Sequence, residues 1–297
     1  MEFRGTYVAL VTPFTRDNKV DAAKIRELVE FQIKNGTSGL VPCGTTGESP
    51  TLSWDEHKLV VKTVVEAARG RVQVIAGAGS NNTREAVDAA LFARRVGADA
   101  VLVVSPYYNK PTQEGLFRHF KTVAQEGKMP VVIYNIQSRT GVNIETSTMV
   151  RLKSVPNIVA VKEASGSMNQ ISDVICRCGD KLDVLSGDDS MTLPLLAAGG
   201  QGVISVIANL LPKEMERLCA DFFKGNLKAA TARHQRLFAL FQGMFYETNP
   251  IPIREAMNMT GWEIGHARLP LTPLASRYRK MLAVELAKIG LKVKRRA

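Results

Sequence analysis

The chain is poor in the residues that would mark several common functions. Of 297 residues, only 6% are aromatic and only four are cysteine. Cys43, Cys176, Cys178 and Cys219 form no paired framework, and His57, His119, His234 and His266 are scattered singly. A structural zinc site needs four convergent ligands, so that class is set aside. Reduced thiols are the default for a cytosolic protein. No apolar run approaches the length of a membrane span, and Met1-Glu2-Phe3-Arg4-Gly5 carries no signal-peptide core. With a strand starting near Tyr7, the expectation is a cytoplasmic protein. A dinucleotide fingerprint is missing too: Gly77-Ala78-Gly79 supplies two glycines, but Asn82 stands where the third belongs.

What is present is enough apolar mass for a large core, with 45% hydrophobic and 23% charged residues. The formal net charge of +11 implies anionic company. Part of that charge is a local tail, Lys292-Val293-Lys294-Arg295-Arg296, while elsewhere Lys and Arg alternate with Asp and Glu. Nucleic-acid binding needs basic charge gathered on one surface, and small carboxylate substrates fit the pattern at least as well.

Short apolar strands alternate with amphipathic helices. The strands read as Tyr7–Phe14, Leu40–Cys43, Val72–Ala76, Ala100–Val104, Pro130–Tyr134, Ile158–Lys162, Leu182–Leu185 and Gly202–Val206. The helices read as Asp21–Asn35, one opening at Ser53 with a capping-box Glu56, Thr83–Val96, Gln113–Gln125, Thr146–Leu152, one through Ile171 and Val174, Leu193–Ala198 and Pro212–Phe223. Eight such units predict a (β/α)8 TIM barrel over residues 1–226, with an open doubly wound sheet as the alternative. From 227 to 297 the rhythm becomes helical only, with helices over Ala229–Phe245, Ile253–Met259 and Ala275–Ile289, so a C-terminal helical appendage is expected.

In such barrels the active site forms at the C-terminal ends of the strands. Strand two ends in Gly44-Thr45-Thr46-Gly47-Glu48-Ser49, a turn of small residues able to bring N–H groups and hydroxyls to an anion, or simply a glycine-rich turn with a helix cap. Strand four ends in Tyr107-Tyr108-Asn109, and adjacent tyrosines more often pack at a rim than catalyse. Strand five ends in Tyr134-Asn135, followed by Arg139, whose fork suits a carboxylate, or a surface ion pair. Strand six ends in Lys162 after Ile158-Val159-Ala160-Val161. A lysine there either snorkels to water or does covalent chemistry, since burial disfavours an ammonium and frees an amine to attack a carbonyl. Strand seven ends in Gly187-Asp188-Asp189, where a carboxylate caps the next helix more readily than it catalyses. An amine, hydroxyls and a guanidinium at one mouth suit Schiff-base chemistry on a small keto acid. A protonated imine is its own electron sink, so neither cofactor nor metal is expected.

These residues resemble the pyruvate-dependent Schiff-base lyase and synthase family, and the likeness runs nearly end to end. Its markers are Gly44-Thr45-Thr46-Gly47-Glu48, Pro106-Tyr107-Tyr108-Asn109, Tyr134-Asn135 with Arg139-Thr140-Gly141, Val161-Lys162-Glu163-Ala164, Ser186-Gly187-Asp188 and Gly202-Val203-Ile204-Ser205-Val206. Arg139 favours the branch that condenses pyruvate with L-aspartate-4-semialdehyde over the sialic-acid and sugar-acid aldolases. The resemblance implies that Lys162 forms an imine with pyruvate, and that Tyr134, Thr45 and Tyr108 relay protons, with Tyr108 coming from the adjacent subunit of a homotetramer built from two tight dimers. It implies that Thr46 and Ile204 hold pyruvate, that Arg139 binds the carboxylate of the semialdehyde, and that Gly187 lies near that substrate. It further implies feedback inhibition by L-lysine at Ser49, His57, Asn81, Glu85 and Tyr107, although Glu85 also reads as an ordinary first-turn acid on a helix.

Two departures stand out. Gln137 replaces a proline common in the family, which predicts a looser loop around Arg139. Trp54 occupies an effector-site position that is often histidine in bacterial members. Two other functions stay open at this level: a pyruvate aldolase acting on a sugar acid or a hydroxyproline-derived keto acid, and a noncatalytic binding protein on a barrel scaffold.

Overall fold

The alternation of strand and helix closes on itself. In a computed structural model describing residues 2–294, strands β1 (Gly5–Ala9), β2 (Gly39–Val41), β3 (Gln73–Gly77), β4 (Ala100–Val104), β5 (Val131–Asn135), β6 (Ile158–Glu163), β7 (Asp183–Ser186) and β8 (Gly202–Ser205) form a closed barrel in chain order. Every pairing is parallel, and β8 returns to β1 with Tyr7 opposite Ile204.

The helices outside are α1 (Ala22–Lys34), α2 (Trp54–Ala68), α3 (Thr83–Val96), α4 (Gln113–Gly127), α5 (Gln137–Thr140), α6 (Thr146–Leu152), α7 (Met168–Cys178), α8 (Thr192–Ala197) and α9 (Pro212–Phe223). Local chemistry sets their ends. Ser53 and Glu56 make a reciprocal capping box on α2, Asn82 caps α3, and Gly97 ends α3 in the left-handed region. Among the described residues no helix is long and apolar enough to cross a membrane.

Strands buried on both faces need apolar residues on both, which explains their near-continuous hydrophobic runs. Side chains facing inward, including Tyr7, Ile75, Leu102, Val132, Leu185 and Ile204, fill the barrel. Those facing outward, such as Val8, Leu40, Val101, Val131 and Val161, pack under the helices. Each fully buried aliphatic side chain contributes about 1.5–3 kcal/mol relative to exposure.

The expected first strand, Tyr7–Phe14, is shortened. Leu10 still donates to the Val41 carbonyl, but Val11 turns to the Asn209 side chain, and Pro13 has no N–H to offer a ladder. The chain then leaves the barrel and Phe14 pairs with Val20 in an isolated bridge. Beyond α9, α10 (Leu227–Gly243), α11 (Ile251–Met259) and α12 (Ser276–Lys288) form the helical region. Of the basic tail, Lys294 donates to the Met259 carbonyl, whereas Arg295 and Arg296 lie outside the described residues.

Candidate active site

A cavity of about 250 Å³ opens at the C-terminal mouth of the barrel. Its wall includes Gly44 and Thr45 after β2, Val104 at the end of β4, Tyr107 beyond it, Tyr134 on β5 and Arg139 on α5. The loop after β2 can pass close to β3 because residue 77 is glycine: a Cβ there would collide with the Cys43 carbonyl. The Gly44–Ser49 turn is tight. The N–H groups of Gly47 and Ser49 donate to the Gly44 carbonyl, and that of Glu48 to the Thr45 carbonyl. Those three donors are therefore committed within the turn, and Thr45 is the side chain it presents to the cavity.

Tyr134 and Lys162 stand directly opposite one another on β5 and β6. Both are 5% exposed, and the lysine Nζ lies 4.1 Å from the centroid of the tyrosine ring. Tyr134 lines the cavity and Lys162 is buried against its ring, so the snorkelling alternative does not describe this lysine. Gly187, after β7, leaves the space that the lysine stem occupies: a Cβ at 187 would sit 2.7 Å from the Ala164 Cβ and 3.1 Å from the Lys162 Cε. Ile204 is fully buried in the barrel interior with Tyr134 and Leu185.

Thr46 does not line the open cavity. It is 2% exposed, and its hydroxyl accepts from the Asn249 side chain at 2.9 Å. The main-chain carbonyl of that same asparagine accepts from the Arg139 guanidinium at 3.0 Å, and the Thr248 hydroxyl lies 3.4 Å from its other nitrogen. Arg139 is thus held rather than loose. Gln137 is the first residue of α5, a position that proline and glutamine both tolerate, and the helix closes at Gly141 in the left-handed region.

Asn249 was not legible as a site residue, because Asn249-Pro250-Ile251-Pro252 reads only as a break between helices. Glu48 was read as part of an anion-binding turn, yet its carboxylate is buried at 1% exposure and lies 2.7 Å from Arg254 Nε. It also accepts from the Arg268 backbone N–H. The only sequence hint was an arginine within the otherwise apolar face of α11.

The acids after β7 divide the work expected of them. Asp188 accepts from the Ser190 N–H as a cap. Asp189 is buried and accepts from the N–H groups of Val206 and Ile207, shaping the chain as it leaves β8. Burial pushes its carboxyl up to about 6.

Tyr108 is not brought to the cavity of its own chain. It is 89% exposed on a backbone with φ of 72°, unusual for a large side chain. A second cavity of about 80 Å³ gathers Ser49, His57, Glu85 and Tyr107, together with Trp54 and Ser80. Ser49 and Tyr107 also line the first cavity, so the two share a wall. Glu85 accepts from the Ser80 hydroxyl at 2.7 Å, while burial lowers the His57 imidazole below its ordinary value. Asn81 does not line this cavity; its carbonyl accepts from the Asn109 side chain at 2.9 Å.

The model of the dihydrodipicolinate synthetase family matches residues 2–289. A 4-hydroxy-tetrahydrodipicolinate synthase from Geobacter sp. (strain M21) is 54% identical over 92% of this chain and 93% of its own. Among solved structures, a dihydrodipicolinate synthase from Aquifex aeolicus has a TM-score of 0.96 at 48% identity, covering 99% of this chain and 100% of that one. A chloride-inhibited dihydrodipicolinate synthase from Acinetobacter baumannii, complexed with pyruvate, matches at 42% identity and TM-score 0.95 over 98% and 100% of the two chains. A counterpart from Cyanidioschyzon merolae with lysine bound matches at 39% identity and TM-score 0.95 over 97% and 99%.

Proposed function

The chain belongs to the dihydrodipicolinate synthetase family, and we propose on that footing that it condenses pyruvate with L-aspartate-4-semialdehyde to give 4-hydroxy-tetrahydrodipicolinate, a step of lysine and diaminopimelate biosynthesis. The observation that carries this reading is the Tyr134–Lys162 pair: a buried amine beside a phenol, at a cavity whose rim holds Arg139.

Lys162 Nζ attacks the keto carbon of pyruvate, and the carbinolamine loses water to give an imine. The protonated imine draws electrons from the methyl carbon, which sheds a proton to form an enamine. That carbon then attacks the aldehyde of the semialdehyde, making the new carbon–carbon bond. The amino group of the same substrate adds to the imine carbon, closing the ring and expelling Lys162 as a free amine. Water leaves once, at imine formation, and the amine is regenerated, so no redox partner is required.

Tyr134 and Thr45, both lining the cavity, move the protons, and Tyr108 of a neighbouring subunit completes the relay. The exposure of Tyr108 supports a partner surface at that place, within a homotetramer built from two dimers. Thr46, through its backbone, and Ile204 hold pyruvate, Gly187 leaves room beside the reacting carbon, and the Arg139 fork takes the semialdehyde carboxylate. Residues 1–226 and the helical region from 227 work as one unit here, because Asn249 bonds to both Thr46 and Arg139. L-Lysine occupies the second cavity, where Glu85 faces its amines; the lysine held by the Cyanidioschyzon enzyme supports L-lysine as the effector.

The test is a coupled assay in which the next enzyme, a nicotinamide-dependent reductase, consumes the product. Nicotinamide oxidation must require both substrates and vanish in Lys162→Ala. Silence with a competent reductase would transfer the assignment to another aldehyde partner, and failure of borohydride to trap a pyruvate adduct would end the Schiff-base reading.

A further inference from the structure

The ladder between β5 and β6 does not keep one register. It starts with Val131 opposite Ile158, skips Val159, and resumes with Val132 opposite Ala160, Ile133 opposite Val161, Tyr134 opposite Lys162 and Asn135 opposite Glu163. An irregularity of this kind makes the register a choice, and a slip of one residue would carry Lys162 out of the barrel and Glu163 into it. Something must hold the mouth end of this strand pair in place.

The last rung is tied by its side chains. Asn135 and Glu163 are 0% and 1% exposed, and the asparagine amide nitrogen lies 3.2 and 3.4 Å from the two carboxylate oxygens. Asn135 Oδ1 accepts from the Ile144 N–H at 3.0 Å, and Glu163 accepts from the Ser165 N–H at 2.7 Å. Asn143 and Gln170 extend the network outward. Among the described residues Glu163 has no ion-pair partner within 4 Å, so its carboxyl is surrounded by neutral donors, and burial pushes it above its ordinary value. A buried acid without a cation is costly, and an apolar residue would fill the space more cheaply if packing were the only requirement.

We propose that Asn135 and Glu163 are positioning residues, a buried tie on the outer face of the barrel that fixes the register in which Tyr134 faces Lys162. This rests on the Schiff-base reading above. Neither side chain touches substrate; the pair acts through the alignment of the amine and the phenol, where small displacements carry large rate penalties.

The experiment swaps the partners. Glu163→Gln places an amide donor against the Asn135 amide, breaking the tie. In the double variant Glu163→Gln with Asn135→Asp, the glutamine oxygen keeps the Ser165 N–H while its nitrogen donates to the new aspartate, and the Asn143 amide turns to donate to that aspartate instead of accepting from Asn135. Borohydride trapping of the pyruvate adduct, followed by intact mass, is run first on the parent protein; no adduct there would end the Schiff-base reading itself. Given a parent adduct, Glu163→Gln should slow its formation about tenfold or more, leave the KM for the semialdehyde within about twofold, and recover to within about threefold of the parent in the swap. Trapping in Glu163→Gln within about twofold of the parent overturns the proposal, as does a folded swap that stays slow. If Glu163→Gln does not fold, the swap decides alone, and failure of both to fold assigns the pair to folding instead.

Discussion

Glu48 and Arg254 meet 2.7 Å apart in the protein interior, one from the turn after β2 and the other from α11. The guanidinium also donates to the carbonyls of Thr12 and Ile264, so one buried arginine ties the active-site turn, the chain after β1 and the helical region together. Removing one partner strands a buried charge. Arg254→Met should therefore cost about 3–5 kcal/mol and lower the thermal unfolding midpoint by on the order of 10 °C. A midpoint within about 2 °C of the parent would contradict this.

Arg139→Ala removes the fork proposed to hold the semialdehyde carboxylate. The expected loss is about 2–4 kcal/mol of transition-state binding, roughly 30- to 1000-fold in kcat/KM for that substrate. Borohydride trapping of pyruvate should persist. Normal turnover of the semialdehyde would rule out Arg139 as its anchor.

Asn249→Ala separates two functions of one residue. The Thr46 hydroxyl loses its donor, whereas Arg139 keeps the main-chain carbonyl of residue 249. The variant should lose about 1–3 kcal/mol in kcat/KM for pyruvate and keep the semialdehyde KM within about twofold. Steady-state kinetics with each substrate varied in turn would show the split, and equal damage to both would refute it.

Glu56 accepts from two Arg268 nitrogens, at 2.7 and 2.6 Å, and that guanidinium holds its carboxyl at about 2, below the ordinary 4.5. Because the folded value is depressed, the stabilisation is fully present above about pH 4.5 and is lost as the pH falls towards 2. Acid unfolding of the parent should steepen in that window. Glu56→Gln should lose on the order of 1–3 kcal/mol at neutral pH and flatten the steepening. An unchanged acid profile would mean the ion pair contributes nothing.

Glu85→Ala should relieve inhibition by L-lysine at least about tenfold, since a charge-assisted contact to the effector's amines is removed. Uninhibited turnover should stay within about twofold. Inhibition that persists unaltered would place the effector elsewhere.

Much of the barrel was legible because the governing signals are local. The bounds of α3, β4, α6 and α9 follow from caps, apolar period and an N-terminal proline, all contained in the segment itself. Lys162 was legible because it interrupts an apolar run. The Glu48–Arg254 pair, the hold of Asn249 on Arg139 and the skipped Val159 were not legible, because each depends on how distant segments meet. Tyr108 is an intermediate case: its tyrosine neighbour suggested a rim and the family resemblance a role in the adjacent subunit, while its exposure in its own chain follows from the fold.

The anchor of Arg139 lies 109 and 110 positions later in the chain, and the donor to Thr46 lies 203 later. Chains emerge from the ribosome in order, at about 5–20 residues per second. A nascent chain that has released all eight strands therefore carries Lys162 and Tyr134 while Thr46, Glu48 and Arg139 still lack their partners in the helical region. A chain ended after α9 would lack the partners of Thr46, Glu48 and Arg139 together, so the mouth of the barrel is the last part of the fold that synthesis completes.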